Sequence, residues 1–338
     1  MKILHVSLHQ GCRNDLNYVL DALGHEHEFF TVSEPDAQHY NVTADRADKY
    51  WHKHKDYFNT FDCIITSDTA PLCRIFLQNN WPKKLIIWIV NRFDYSHQPC
   101  KEFPDPEYYN LIKLAAHKNN VFIIPNTAIE FVHLARHGIH LENSGRNKII
   151  KPIGLAPDNA PAGKHSDIND PGAVTLLPDK AETFFVPRYH NETLFMNLSK
   201  TLGDLGIKNY NERHKGFADL KEFKGVISIP YAYQLWSLME YLALNIVLFI
   251  PSKNFLTQLA HQGGPFWHQN MEYFHSHLEL SEFYNTENSK SIIYFDSWED
   301  LVEKTRTLDY NRHQLQMSKN GRIHTQNTLR AWEAILSQ

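Results

Sequence analysis

The sequence predicts an α/β protein with two parallel-sheet domains, and three observations support this fold class. Strand-like and helix-like segments alternate through residues 1–155, which is the pattern of an open parallel sheet. Residues 156–172 are rich in proline and have no apolar period, which indicates a linker. Residues 224–259 then form a strand, a helix and a second strand, which is the βαβ unit of another parallel sheet.

These observations define the predicted domain boundaries. A chain of 338 residues is long enough for two domains. We assign residues 1–155 to the first domain, 156–172 to the linker, 173–320 to the second domain and 321–338 to a terminal helix.

In the first domain, short apolar runs predict strands that are separated by helices. The predicted strands are residues 2–8, 28–32, 61–66, 85–90, 121–124 and 148–153. The first predicted helix has its N-cap at Asn14 or Asp15 and runs to Leu23, and the others are residues 41–60, 71–77, 107–117 and 128–136. The strand at 85–90 is apolar on both faces, so we place it at the centre of the sheet.

In the second domain, the βαβ unit is the clearest pattern. Residues 225–230 are a short apolar run that ends at a proline, and residues 234–244 have leucines and a methionine at helical spacing. The remaining predicted strands are residues 173–177, 183–186, 208–211, 246–250 and 291–295. The remaining predicted helices are residues 192–205, 298–308 and 314–336.

Composition excludes several classes of protein. The net charge of −4 and the lack of a basic tract argue against a nucleic-acid partner. No apolar run reaches the ~18 residues of a membrane span, and the N-terminus enters a strand pattern directly, so we expect a cytoplasmic protein for which a peripheral membrane contact stays open. The 21 histidines and four cysteines form no metal-ligand motif.

Polar residues gather after the predicted strands of the first domain. The loop after the first strand, HQGCR, has a single glycine, which argues against a dinucleotide cofactor, and we predict no cofactor. Carboxyl ends of parallel strands lie at one edge of a sheet, where ligands bind. The residues that we expect at this edge are His9, Asp68, Asn91, Asp94 and Asn126.

The segment IPYAYQLWSLMEYLALNIVLFIPS, residues 229–252, resembles a known donor-binding segment. It is similar to that of the GT-B glycosyltransferases, in particular the group 1-like and exostosin-like members. These enzymes have two Rossmann-like domains that face a cleft. The resemblance also implies a terminal helix that crosses back to the first domain, with Trp332 and Ile335 as its contact residues.

The resemblance implies roles for individual residues. Glu240 falls where the family's ribose-binding glutamate falls, and Arg188 is the best match to the basic residue that contacts the diphosphate. The loop that meets the sugar and the diphosphate corresponds to Tyr231, Ala232, Tyr233 and Gln234. On helix geometry alone Glu240 would be a solvated carboxylate. For Arg188 the ordinary alternative is a surface salt bridge.

The resemblance implies transfer of a sugar from a nucleotide-activated donor to a hydroxyl of a glycan or glycoconjugate. The leaving diphosphate must be stabilised, and the Arg188 guanidinium and the amides that begin the Gln234 helix would do this. The chain has no DxD triplet, so we predict no essential metal. Ala232 replaces a glutamate that many retaining members carry, so the stereochemistry of transfer stays open.

An inverting transfer also needs a base for the acceptor hydroxyl. We expect it in the first domain, with Asp94 as the first candidate and Asp68 and His9 as the next. Asn91 and Asn126 would bind sugar hydroxyls. The ordinary alternative for each aspartate is loop capping.

Two other functions stay open at this point. One is a GT-B protein that has lost catalysis and binds nucleotide sugars or glycans as a module, which would suit Ala232 and the tyrosine-rich loop. The other is a sugar-nucleotide epimerase of the same architecture, which would act on the donor with no acceptor present.

Overall fold

The computed structural model describes residues 1–32, 42–91, 93–94, 105–143, 145–154, 179–188, 196–263 and 277–338. The chain divides into two compact units. Unit 1 consists of Met1–Leu155 and His324–Gln338, and unit 2 of Ala156–Ile323. The segment predicted as a linker, residues 156–172, lies outside the described residues.

Unit 1 contains a five-stranded parallel sheet with the strand order β2-β1-β3-β4-β5. The strands are β1 (Lys2–Val6), β2 (Glu26–Phe30), β3 (Cys63–Thr66), β4 (Lys84–Ile89) and β5 (Val121–Pro125). The helices are α1 (Gln10–Ala22), α2 (Ala44–Phe58), α3 (Arg74–Leu77), α4 (Pro106–Ala115) and α5 (Ile129–Arg136). As predicted, β4 is buried along almost its whole length and lies inside the sheet.

Two predictions for unit 1 are wrong. Residues 148–153 do not form a strand, because this stretch makes only isolated backbone contacts, such as the hydrogen bond from the Ile150 amide to the Pro125 carbonyl (3.0 Å). Helix α1 begins at Gln10 with His9 as its N-cap, and not with Asn14 or Asp15 as predicted, because the His9 side chain accepts a hydrogen bond from the Cys12 amide.

Unit 2 contains a second five-stranded parallel sheet, with the order β10-β9-β8-β6-β7. The strands are β6 (Phe184–Phe185), β7 (Asn209–Tyr210), β8 (Gly225–Ile227), β9 (Leu248–Pro251) and β10 (Ile292–Phe295). The described helices are α6 (Leu198–Asp204), α7 (Phe217–Leu220), α8 (Trp236–Ala243), α9 (Lys253–His261), α10 (Trp298–Thr307) and α11 (Tyr310–Leu336). The candidate strand at 173–177 lies outside the described residues.

Helix starts in unit 2 differ from the prediction for local reasons. Helix α8 begins at Trp236 and not at residue 234, because Leu235 has extended backbone angles (φ −134°, ψ 137°). Helix α6 begins at Leu198, where the Asn197 side chain accepts a hydrogen bond from the Lys200 amide (2.9 Å). The predicted earlier turn of this helix, at residues 192–195, lies outside the described residues.

Both sheets have the same topology. If the strands of each unit are numbered along the chain, their order across the sheet is second, first, third, fourth and fifth. This is a doubly wound order, in which the strand order reverses between the first and third strands. The predicted fold class, two Rossmann-like α/β domains, is therefore confirmed. Among the described residues, no helix is long and apolar enough to cross a membrane.

The terminal helix α11 starts in unit 2 and ends in unit 1. Trp332 is completely buried, and its ring meets the Trp88 ring edge to face, with centroids 5.5 Å apart. The Lys84 ammonium donates to the carbonyls of Ile335 (3.2 Å) and Leu336 (2.8 Å), which caps the end of the helix. The predicted return of this helix to the first domain, with Trp332 and Ile335 as contact residues, is confirmed.

We expect Trp332→Ala to destabilise unit 1 by about 3–5 kcal/mol, because it removes a large side chain from a site that cannot refill. Differential scanning calorimetry would measure the change. Leu315→Ala on the same helix is the matched control, since Leu315 is 73% exposed and should change stability by less than about 0.5 kcal/mol. An unchanged transition for Trp332→Ala would show that α11 does not stabilise unit 1.

Candidate functional site

The first cluster of candidate residues lies at the carboxyl edge of the sheet in unit 1. Strands β1 and β3 are neighbours, with Val6 opposite Thr66, so the loops that follow them begin side by side. His9 is in the first of these loops and Asp68 in the second. A ligand of a doubly wound sheet binds where the strand order reverses, which is at these two loops.

His9 caps helix α1, and this contact determines where its ring proton lies. Its Nδ1 accepts a hydrogen bond from the Cys12 amide (3.3 Å), so the neutral ring carries its proton on Nε2. Burial lowers the pKa of His9, which keeps the ring neutral at pH 7. In this geometry His9 is better suited to donate a hydrogen bond to a ligand than to take a proton from it.

Asp68 combines burial with an unusual backbone conformation. It is 7% exposed and has a φ of +74°, in the left-handed region. Its carbonyl accepts a hydrogen bond from the Asn91 amide (2.8 Å), which joins the loops after β3 and β4. Burial raises the pKa of Asp68 to about 7, so this carboxyl exchanges its proton readily near neutral pH.

The structure brings His9, Asp68 and Asn91 together. The Cys12 thiol, whose own amide bonds to His9, is completely buried, and its pKa is raised well above the usual range, first by burial and then by the nearby Asp68 carboxylate. Asn91 is half-buried and bonds to Asp68 through its amide. The three predicted residues therefore share one edge of the sheet.

Asn126 is placed at the same edge but deeper. It is 2% exposed, its side-chain amide donates to the Val90 carbonyl (3.1 Å), and its backbone amide donates to the Ile89 carbonyl (3.0 Å). Its main visible role is to join the ends of β4 and β5. A role in binding a sugar hydroxyl stays a prediction.

Asp94 is placed differently from Asp68. Its side chain is completely buried, and its Oδ2 lies 3.4 Å from Nε2 of His137, the residue that ends α5. The His137 ring packs on the Tyr109 ring (4.0 Å between centroids), and the preceding Phe93 amide donates to the Glu130 carboxylate (3.1 Å). A general base must come within about 2.6–3.2 Å of the proton that it removes. This enclosed position favours Asp68 over Asp94 as a proton acceptor.

The second cluster lies at the carboxyl edge of the sheet in unit 2. Strands β6 and β8 are neighbours, with Phe185 opposite Val226, so the residues that follow them share this edge. Arg188 follows β6, and residues 231–234 follow β8. The Arg188 guanidinium is exposed and lies 3.7 Å from the Glu212 carboxylate. Exposed pairs are worth at most about 1 kcal/mol, so an incoming phosphate can compete with Glu212.

The loop at residues 231–234 is hydrogen-bonded to residues 281–282, which are distant in the sequence. Tyr233 is completely buried, and its carbonyl accepts hydrogen bonds from the Glu282 amide (2.8 Å) and the Ser281 hydroxyl (2.9 Å). The Glu282 carboxylate in turn accepts from the side-chain amides of Asn285 (2.7 Å) and Asn288 (3.1 Å). Sequence reasoning missed this support, because Ser281 is 48 positions from Tyr233 and has no local motif.

The start of α8 is suited to an anion. Leu235, at the N-cap position, makes no side-chain hydrogen bond to the helix, and its apolar side chain has no acceptor for one. The first-turn amides and the positive end of the helix dipole therefore favour negative charge at this point. Glu240 lies on the same helix and is half-buried, next to the buried Met239 and Tyr241.

The prediction that no metal ion is essential concerns both clusters. Within the ranges that the structure describes, no group of three or more His, Cys, Asp or Glu side chains is arranged to hold a metal ion. Metal-independent binding stays a prediction.

No protein-family model and no curated protein matches the sequence. Among solved structures, the chain is similar to CalG4, the calicheamicin glycosyltransferase, with 11% identity over 100% of this chain and 98% of that chain (TM-score 0.45). It is also similar to Arabidopsis thaliana UGT89C1 complexed with UDP, with 12% identity over 98% and 91% of the two chains (TM-score 0.42). A third is UDP-GlcNAc 2-epimerase from Neisseria meningitidis bound to UDP-GlcNAc, with 9% identity over 98% and 100% (TM-score 0.46).

We expect Asp68→Asn to stabilise the protein at pH 8 and to have little effect at pH 4. The folded-state pKa of Asp68 is raised, so the native state binds this proton more tightly than the unfolded chain, and stability is lost as pH rises from about 4 to about 7. Asparagine avoids burying a charge, which predicts a gain of up to about 4 kcal/mol at pH 8. Thermal melts at both pH values would measure it.

The control for this substitution is Asp56→Asn on α2, whose side chain is exposed and should change the melting temperature little at either pH. A gain for Asp68→Asn that is equal at pH 4 and pH 8 would contradict the raised pKa.

Proposed function

We propose that the protein is a glycosyltransferase that moves a sugar from a nucleotide-activated donor to a hydroxyl of a carbohydrate or glycoconjugate. One observation carries the proposal: Arg188, residues 231–234 and the start of α8 follow adjacent strands at the carboxyl edge of one sheet. A guanidinium and a helix N-terminus are the two groups that proteins use most readily for a diphosphate. The resemblance of residues 229–252 to a donor-binding segment supports the same conclusion.

The donor is held by unit 2 in this proposal. The diphosphate lies between the Arg188 guanidinium and the first-turn amides of α8, and the ribose hydroxyls donate to the Glu240 carboxylate. Tyr231, Ala232, Tyr233 and Gln234 form the wall next to the sugar. The bracing of the Tyr233 carbonyl by Ser281 and Glu282 keeps this wall in place before the donor binds.

The chemical step forms a bond between the acceptor oxygen and the anomeric carbon and breaks the bond between that carbon and the diphosphate oxygen, so negative charge develops on the leaving diphosphate. Arg188 and the α8 amides stabilise that charge without a metal ion. Asp68 takes the proton of the acceptor hydroxyl, since a carboxylate with a pKa of about 7 is an effective base at neutral pH. His9 donates to the acceptor and Asn91 binds one of its hydroxyls.

We expect one nucleoside diphosphate among UDP, GDP, CDP and ADP to raise the melting temperature of the chain clearly more than the others. A ligand that binds only the native state stabilises it by mass action. EDTA should leave the shift unchanged, because Arg188 and the helix amides supply the positive charge. A shift that EDTA abolishes would contradict metal independence, and no shift with any diphosphate would contradict the donor site.

Two variants test where the diphosphate that raises the melting temperature binds. Arg188→Ala should weaken the diphosphate about 10-fold or more in calorimetry and leave the affinity for the nucleoside unchanged, since a charge-assisted bond is worth about 1.5–3 kcal/mol. Glu240→Ala should weaken both ligands. The matched controls are Arg306→Ala and Glu303→Ala, which remove exposed residues of α10. Equal losses in variant and control would place the nucleotide elsewhere.

We expect Asp68→Asn to lower turnover by about 10²–10⁴-fold while the donor affinity is kept, because general base catalysis contributes about this factor. In the wild type, kcat/KM should rise with pH through about 7, and the variant should lose this rise. A fully active variant would exclude Asp68, and Asp94→Asn is the comparison for the other aspartate.

Turnover assays with and without an acceptor distinguish a transferase from an epimerase and from a binding module. If the donor sugar changes configuration with no acceptor present, the protein is an epimerase. If the diphosphate binds but neither transfer nor epimerisation occurs with any donor of that base, the protein is a binding module.

A further inference from the structure

The first half of helix α11 exposes a face that contains three cations and two aliphatic side chains. On the inner side of the helix, Met317 is 1% exposed and Asn320 donates to the Ser291 hydroxyl (2.9 Å), so this side packs on unit 2. Residues three or four positions apart share a helix face. The exposed residues on the outer side include Arg312, Leu315, Lys319, Arg322 and Ile323, and we call these five the basic face.

The basic face has an unusual separation of charge. Acidic residues make up 38 of the 338 positions, yet none occurs between Asp309 and Glu333. Asp309 accepts a hydrogen bond from the Arg312 amide (3.0 Å) and caps the start of the helix. By contrast, Lys304 of the preceding helix pairs with Asp300 one turn away (2.7 Å). The positive charges of the basic face are therefore not balanced along their own helix.

A cavity of about 540 Å³ opens beside the basic face, at the amino ends of β8 and β9. Leu315 and Lys221 are both among the residues that line it, and Lys221 is the cationic one. The other polar side chains of the wall are the neutral amides of Asn245, Asn311 and Gln314. Among the described residues that line it, the cavity has a cation and amide donors but no carboxylate, which suits an anionic group of small size.

We propose that the basic face docks on a membrane that contains anionic lipids, with a lipid phosphate seated in the cavity beside Lys221. Cations spaced along one helix attract an anionic surface, and exposed aliphatic side chains among them enter the headgroup layer. Leu315 and Ile323 are 73% and 49% exposed, so both can enter a headgroup layer. Cations with exposed aliphatic side chains between them favour a lipid surface over a nucleic acid, in a chain whose net charge is −4.

The position of the basic face is compatible with the proposed donor site. The cavity lies at the amino ends of β8 and β9, whereas residues 231–234 follow the carboxyl end of β8. A membrane at the amino edge of this sheet leaves its carboxyl edge open. The docking therefore does not depend on the proposed function, and either can fail without the other.

The test is co-sedimentation of the full chain with vesicles of phosphatidylcholine, with and without phosphatidylglycerol. We expect binding only to the anionic vesicles, and its loss at high salt. The triple variant Arg312→Gln, Lys319→Gln, Arg322→Gln should bind on the order of 100-fold more weakly, since each cation near the surface contributes about fivefold. Leu315→Ser should weaken binding with the charge unchanged, and the melting temperatures of all variants should stay near that of the wild type.

The matched control removes the same charge elsewhere, by replacing the exposed Lys49, Lys53 and Lys55 of α2 with glutamine. An equal loss in this control would overturn the proposal, because it would indicate attraction by total charge. No sedimentation of the wild type with anionic vesicles would also overturn it. Full competition by soluble glycerophosphate would point to a free phosphate, and tight RNA binding that ignores Leu315→Ser would point to a nucleic acid. Either result would rule out the membrane.

Discussion

Parallel pairing between the first and third strands of each sheet is the constraint on which both candidate sites depend. In unit 1 it sets Val6 beside Thr66, and in unit 2 it sets Phe185 beside Val226. The helices that follow such a strand pair cover opposite faces of the sheet, so their loops diverge and leave a crevice at the carboxyl edge. The same strand order thus brings polar residues to a carboxyl edge twice in one chain, once with a carboxyl group and once with a guanidinium.

The two carboxyl edges differ in the charge that they favour, because the residues at each edge differ. In unit 1, Asp68 is almost completely buried in a left-handed backbone conformation, so its charged form is disfavoured and its proton is exchangeable near pH 7. In unit 2, the N-cap residue of α8 is a leucine that makes no side-chain cap, and the exposed Arg188 follows β6, the strand next to β8. One edge suits proton exchange and the other suits an anion.

Asp68 and Asp94 occupy similar positions in the sequence pattern but differ in how deeply they are buried. Asp68 and Asp94 both follow apolar strands, and from the sequence Asp94 is the first candidate. In the folded chain, Asp94 is enclosed with His137, whereas Asp68 lies at the carboxyl edge beside His9 and Asn91. The segments that enclose Asp94 are α4 and α5, which follow it in the chain. Their packing, and not the local sequence, decides that Asp94 is a buried partner of a histidine.

The sequence by itself determined the alternation of strands and helices, the interior position of β4 and the βαβ unit of unit 2. These features follow from apolar periodicity, which is a local property. The return of α11 to unit 1 was implied by the resemblance of residues 229–252 to a donor-binding segment. Only the tertiary structure decided the strand order, the depth of each polar residue, the irregular path of residues 148–153 and the support of Tyr233 by Ser281 and Glu282. Each of these depends on contacts between segments that are far apart in the chain, and burial and hydrogen bonding there are settled only when those segments pack.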